Sequence, residues 1–241
     1  AAIGRHIAGL VPDGATLQTG IGTVPDAVLQ ALRGHRDLGL HSGSLGEGIV
    51  DLAECGALTN ARKTLDRGLT IGGVLIGGER LRRFAHQNPR LELRSSEYTH
   101  DANVLAQIEA FVAVNSAIEV DLTGQVNSEV AAGAYVGAVG GALDFLRGAS
   151  RSRGGLPIVA LPSTAGGRSR IVSRLSGPAT VPRNLPCVVV TEHGVADLRG
   201  LTLSQRQDRL LAIAHPEHRA ALARELAADP APGTLRGGPA R

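Results

Sequence analysis

Thr16-Leu17-Gln18-Thr19-Gly20-Ile21-Gly22-Thr23-Val24-Pro25-Asp26-Ala27-Val28 (residues 16–28) is the stretch that decides the fold class. Four residues with strand character run into a glycine turn, and the turn runs into a segment with helical spacing. Strand, tight turn and helix in that order open a β–α unit. Pro25 is expected at the first helical position, where its missing N–H costs nothing. Outward from here the alternation continues. Strands are read at 16–19, 39–41, 69–76, 91–94, 110–114, 118–122, 158–161, 171–175 and 188–191. Helices are read at 1–10, 25–33, 46–55, 78–86, 101–108 and 203–214, with 217–228 as one more. Short, continuously apolar strands indicate a sheet covered by helices on both faces, so the expected class is α/β with a mainly parallel sheet.

Length and composition exclude whole classes of function. The 241 residues are 43% hydrophobic and 20% charged, ample for a substantial core. No run comes near the roughly 20 apolar residues that a membrane span needs, and no basic-then-apolar leader opens the sequence. Two cysteines, Cys55 and Cys187, cannot form a disulfide framework. The expectation is a cytoplasmic protein with one domain over 1–228 and a Pro-, Gly- and Ala-rich disordered tail over 229–241. Of 25 basic residues only Lys63 is a lysine, and 22 acidic residues leave a net charge of +3. The arginines are scattered and aromatic residues make up 2%, so nothing offers a stacking platform for nucleic acid. Local arginines suit small anionic molecules instead. The first residue is Ala1 and there is no methionine, which reads as a fragment or a processed product.

Three segments carry candidate chemistry. In Gly20-Ile21-Gly22, bare backbone can bring N–H groups to an anion at a helix N-terminus, where the dipole also favours it. The same residues suit a plain tight turn, since no third glycine or trailing acid completes a dinucleotide fingerprint. In Gly137-Ala138-Val139-Gly140-Gly141-Ala142-Leu143-Asp144-Phe145, the glycines can bind phosphate or thioester oxygen, and Gly141 can present an N–H to a developing oxyanion. A flexible loop is the plainer alternative. In Asn115-Ser116-Ala117-Ile118-Glu119-Val120-Asp121, the two carboxylates point the same way on a strand. Capping backbone or bridging to arginine is expected of them before metal or acid–base work.

Histidines and cysteines add less. His193 and His41 lie at strand ends, where ligands gather in α/β folds. His215 and His218 are three apart with Pro216 between them and no third ligand in view, so no metal is expected. Cys55 is expected to be buried.

Six segments taken in order carry more than any one of them. They are Gly-Ile-Gly-Thr-Val-Pro-Asp-Ala-Val (20–28), Leu-Gly-Leu-His-Ser (38–42), Asn-Ser-Ala-Ile-Glu-Val-Asp-Leu-Thr-Gly-Gln-Val (115–126), Gly-Gly-Ala-Leu-Asp-Phe-Leu-Arg-Gly-Ala (140–149), Ala-Leu-Pro-Ser-Thr-Ala (160–165) and Val-Thr-Glu-His-Gly-Val-Ala-Asp-Leu-Arg-Gly (190–200). Together they resemble the acetyl-CoA hydrolase/transferase family, and within it the C-terminal domain of 4-hydroxybutyrate CoA-transferase-like enzymes. The resemblance implies the NagB/RpiA/CoA-transferase-like α/β fold. It also implies an N-terminal companion domain absent from this sequence, a site between the two domains, and a homodimer. The substrates implied are acyl-CoA and small carboxylic acids, with coenzyme A as substrate and no other cofactor. The implied chemistry is covalent: a glutamate attacks the thioester to form a mixed anhydride, and returning CoA gives a glutamyl-CoA thioester that an acceptor acid resolves.

Residue by residue the match is uneven. Gly141, with Gly140, falls on the family's oxyanion glycine, and Gly20 and Gly22 fall on the loop bordering the acyl or carboxylate pocket. The nucleophilic glutamate that follows the family's His-Thr or His-Ser pair is replaced by Gly43. The family's asparagine donor is replaced by His100, in Tyr98-Thr99-His100-Asp101. Glycine cannot form an anhydride, so transfer through position 43 is excluded. Three expectations remain open. Glu47, four residues on, can substitute as nucleophile; water can enter the space at Gly43 with His100 or His41 as general base; or the pocket can be that of a non-catalytic acyl-CoA-binding protein or subunit.

Overall fold

A computed structural model describes residues 1–137 and 139–228. The tail read at 229–241 lies outside the described residues. In chain order the strands are β1 (Thr16–Thr19), β2 (Gly39–Leu45), β3 (Thr70–Leu75), β4 (Leu91–Leu93), β5 (Phe111–Ser116), β6 (Glu119–Asp121), β7 (Val126–Asn127), β8 (Val130–Ala131), β9 (Ala134–Tyr135), β10 (Leu156–Ala160), β11 (Thr164–Ala165), β12 (Arg168–Ser169), β13 (Ile171–Val172), β14 (Val188–Thr191) and β15 (Gly194–Asp197). The helices are α1 (Ala2–Ala8), α2 (Thr23–Ala31), α3 (Gly48–Glu54), α4 (Glu79–Ala85), α5 (Ser96–Thr99), α6 (Ala102–Ala106), α7 (Ala142–Arg151), α8 (Leu203–Ile213) and α9 (Pro216–Ala228). Their contacts gather into two compact units.

The first unit comprises Ala1–Ser116 and Gly140–Ala160. Its strands lie side by side in the order β4-β3-β2-β1-β5-β10, every pair parallel. The register aligns Thr16 with Gly39 on one side and with Phe111 on the other. All four residues of β1 and the first four of β5 are buried, so both faces of the sheet centre are covered. Leu17, Leu40, Ile71, Phe111 and Val112 are fully buried there, each contributing about 1.5–3 kcal/mol of apolar burial. The chain moves outward from β1 through β2 and β3 to β4, then returns to the other flank of β1 with β5. The order of winding therefore reverses between β1 and β5, where open α/β sheets leave a crevice at the strand C-termini.

Local chemistry shifts several expected boundaries. The helix after β1 starts at Thr23, so Pro25 is its third residue, still within the turn whose N–H groups have no intrahelical partner. Gly22 precedes it with φ 111°, a conformation open to glycine. Strand β2 runs on to Leu45, which puts Gly43 inside a strand, and α3 starts only at Gly48. The glycines and Asp144 and Arg147 mask the amphipathic helix α7, where a loop was the plainer expectation. Phe145, Leu146 and Ala149 form its buried stripe. Gly148 lies on that stripe too, facing the fully buried Leu105 of α6.

Of the described residues, the second unit comprises 117–137, 139 and 161–228. In it β6 pairs with β13 in parallel and with β7 antiparallel, while β8–β9, β11–β12 and β14–β15 are antiparallel pairs. Most of these strands are two residues long, too short to leave a period-two pattern in the sequence. Helix α8 opens with a capping box between Thr202 and Gln205.

A β-carbon at position 148 would run into Leu105, so Gly148→Ala is expected to destabilise the protein by about 1–3 kcal/mol. Helix propensity alone favours the alanine by about 1 kcal/mol, so a urea midpoint that rises would show that α6 and α7 are not packed this closely.

Candidate active site

A recess of about 320 Å³ opens in the first unit at the C-terminal ends of β1, β2, β3 and β5. Gln18 and Gly20 come from β1 and its turn, Gly43 and Ser44 from β2, Val74 from β3 and Asn115 from β5. Gly141, Ala142 and Phe145 enter from the start of α7, and His100 follows α5.

His100 is the centre of this arrangement. Its ring lies between two bare backbones. A β-carbon on Gly43 would stand 2.8 Å from Nε2, and one on Gly141 would stand 2.5 Å from the same atom. Phe145 packs against the imidazole with ring centroids 4.6 Å apart. On the other side Nδ1 lies 2.8 Å from the hydroxyl of the buried Thr99. Burial lowers the His100 pKa below the ordinary 6.5, and Asp144 in the first turn of α7 pulls weakly the other way. The imidazole is therefore neutral at neutral pH, with Nε2 toward the recess.

The other expected residues are placed unequally. Gly20 and Gly141 line the recess, while Gly22 and Gly140 are exposed next to them. Gly141 caps the ten-residue α7, whose first N–H groups lack intrahelical partners. His41 is brought to the same strand as Gly43 but is fully enclosed, beside Tyr98 at 5.7 Å and edge-on to Phe111 at 6.4 Å. Neither of its nitrogens makes a well-formed hydrogen bond. Burial first, then the Lys63 ammonium, push its pKa down to about 4, against weaker pulls from Asp66 and the Thr99 carbonyl. Glu47 is not on the recess; its Oε1 accepts a 2.6 Å hydrogen bond from the Gly78 N–H at the start of α4.

The sequence motifs assign no role to Gln18 or to the side chain of Asn115, both on the recess. They form a reciprocal amide pair across the β1/β5 crevice: Asn115 Nδ2 donates to Gln18 Oε1 at 2.9 Å, and Gln18 Nε2 donates back at 3.4 Å. The available signal was an amide at the next-to-last position of each strand.

Other candidates resolve into structure. Asp121 accepts from the Thr123 and Gln125 N–H groups and closes the turn after β6. Glu119 accepts from the Ser176 N–H at 2.6 Å and from Asn127 Nδ2 at 2.9 Å. In the second unit His215 lies 5.2 Å from His193 and 5.8 Å from His218, ring centre to ring centre. Among the described residues no group of three or more His, Cys, Asp or Glu is arranged to hold a metal ion, and no helix is long and apolar enough to cross a membrane. Cys55, expected to be buried, is exposed at the C-cap of α3, where the helix stops just before Gly56 takes a φ of 80° and the chain returns inward at Ala57.

Fold and recess together define an α/β protein with a recess at its topological switch point, the place where such folds take ligands. Residues 77–226 match the family model described as the acetyl-CoA hydrolase/transferase C-terminal domain. The chain belongs to the acetyl-CoA hydrolase/transferase family. It is 44% identical over 228 residues to 4-hydroxybutyrate coenzyme A transferase of Clostridium kluyveri, covering 93% of this chain and 53% of that protein. The crystal structure of RipA from Yersinia pestis is similar with a TM-score of 0.90 at 41% identity, covering 94% of this chain and 52% of the other. That of 4-hydroxybutyrate CoA-transferase from Porphyromonas gingivalis gives 0.84 at 41% identity, covering 94% and 55%. The CoA-transferase-like fold expected from the sequence is thus the fold observed. The chain spans about half the length of the curated relatives it matches.

Two outcomes test this geometry. Gly43→Ala is expected to cost about 1–3 kcal/mol of stability by overpacking His100 and Phe145. Most of that cost should vanish in a His100→Asn background, and additive losses in a double-mutant cycle would mean the two positions do not compete for space. His41 should make the protein acid-sensitive. The unfolded chain protonates this imidazole near 6.5 and the folded one only near 4, so its contribution is complete above 6.5 and lost as pH falls toward 4. The slope from this group is of order 1 kcal/mol per pH unit, and His41→Phe should flatten it in urea titrations run across that window.

Proposed function

We propose that this chain acts on acyl-CoA thioesters, and that its recess supports hydrolysis through His100 in place of transfer through a glutamyl intermediate. The observation that carries the reading is His100 Nε2 facing the bare backbone of Gly43, where the family resemblance places a nucleophilic side chain. Glycine supplies no nucleophile, but a neutral imidazole beside an open recess can activate water. The water oxygen attacks the acyl carbon while its proton passes to Nε2. The C–S bond then breaks and the proton passes on to the CoA sulfur, leaving a carboxylic acid and free thiol.

Other groups fit this scheme. The N–H groups at the start of α7, from Gly141 onward, and the helix dipole suit a developing oxyanion. Val74, Ala142 and Phe145 offer an apolar wall to the acyl group. His41 is enclosed and Glu47 is engaged with Gly78, so the reading rests on His100 alone. Coenzyme A enters as substrate, with small carboxylic acids as products or acceptors and no resident cofactor. A cytoplasmic homodimer is part of the same proposal. The absence of a side chain at Gly43 also favours a second reading, a non-catalytic acyl-CoA-binding protein or subunit.

The test uses the full-length gene product with a panel of acyl-CoAs, with and without carboxylate acceptors, followed by mass spectrometry. Free CoA without new acyl-CoA is the expected product. New acyl-CoA would overturn the hydrolytic reading, and binding without either product would favour the second. His100→Asn should lower kcat by about 100-fold or more. Because the working form is the neutral base, activity should hold at neutral pH and fall only on the acid side, with a midpoint below 6.5. An acid limb lying above that value, or surviving in His100→Asn, would remove His100 from the mechanism.

A further inference from the structure

We propose that Thr99 is a positioning residue which fixes the ring-proton tautomer of His100 and so leaves Nε2 unprotonated toward the recess. The inference rests on the reading of His100 as a base and deepens it. Thr99 is fully buried at the last position of α5. Its Oγ1 lies 3.2 Å from the Ser95 carbonyl oxygen, four residues back, and 2.8 Å from His100 Nδ1. A hydroxyl has one proton to donate and lone pairs to accept with. If that proton went to Nδ1, the contact with Ser95 would be two oxygens with no hydrogen between them.

Both contacts are satisfied in one arrangement. Thr99 donates back to the Ser95 carbonyl, as threonines near helix ends commonly do, and His100 Nδ1–H donates to Thr99 Oγ1. The ring proton is then held on Nδ1. Nε2, for which the described residues supply no hydrogen-bond partner, lies against the bare backbones of Gly43 and Gly141 on the wall of the recess and keeps its lone pair. The device has the logic of a base held by a third group, with a carbonyl-anchored hydroxyl where a carboxylate is more usual.

During the reaction the Nδ1 proton stays in place. Nε2 takes the water proton as the new C–O bond forms, and returns it to sulfur as the C–S bond breaks. Thr99 Oγ1 accepts from the imidazolium throughout and holds the ring in place.

The test combines nitrogen NMR of histidine-labelled full-length protein with steady-state kinetics. His100→Asn identifies the His100 resonances by their loss. Expected in the unaltered protein is an unprotonated Nε2 at neutral pH. Thr99→Val, which keeps the shape and removes the hydroxyl, should shift the ring toward the Nε2–H tautomer. It should also lower kcat by at least about 10-fold with KM nearly unchanged. Thr99→Ser should restore both. A protonated Nε2 in the unaltered protein, a Thr99→Val spectrum without tautomer change, or a Thr99→Ser variant as impaired as Thr99→Val would each overturn the assignment. If His100→Asn retains turnover, the base reading fails separately, because the tautomer is read without reference to activity.

Discussion

The space beside residue 43 can be occupied once. His100 fills it from the α5 side, and the ring fits because neither Gly43 nor Gly141 brings a β-carbon to the contact. Everything else about the recess follows from that steric condition. The ring needs packing against it, which Phe145 supplies, and a hydrogen-bond anchor on the side away from the glycines, which Thr99 supplies. Helix α7 must approach closely enough to lay Gly141 on the imidazole, and Gly148 lets it do so by clearing Leu105 lower down. Two glycines on one helix thus have different duties, one at the contact with His100 and one in the packing that sets it.

The sheet supplies the second level of support. Four strand ends meet at the recess because the chain winds outward from β1 and then resumes on its other flank. The reciprocal Gln18–Asn115 pair spans that reversal, so two amides that would be costly to bury alone satisfy each other at the crevice. The paired strands on either side, β1 buried throughout, β10 over most of its length and β3 over its first half, leave little freedom for the backbone at Gly43 or Asn115. A shift in either would have to be carried through the register with β3 or β10.

How much of this the sequence discloses depends on whether the signal is local. The alternation of apolar runs and helical patterns is local, and it yields the α/β class and the parallel sheet. The interest of Gly43 and His100 comes from the family resemblance, because six motifs set the register in which both residues are read. Their adjacency is a tertiary fact: 57 positions of chain separate them, and no period in the sequence reports it. Helix α7 was hidden by its own opening glycines, whose conformational freedom reads as a loop until Leu105 is seen against its buried stripe. Gln18 was masked for a related reason, since a polar residue in a strand acquires meaning only when the partner strand is known. His41 ran the other way. It looked like a candidate base by position, and burial without good partners makes it a core residue instead.

Helix α7 begins where it does because Gly141 has no side chain, and β2 passes His100 because Gly43 has none. Positions 43 and 100 therefore cannot be changed independently. A larger side chain at 43 has room only if the ring at 100 is removed or turned aside, and a smaller residue at 100 leaves 43 open to substitution. Any redesign of the recess has an order built into it, with residue 100 changed before residue 43 can grow.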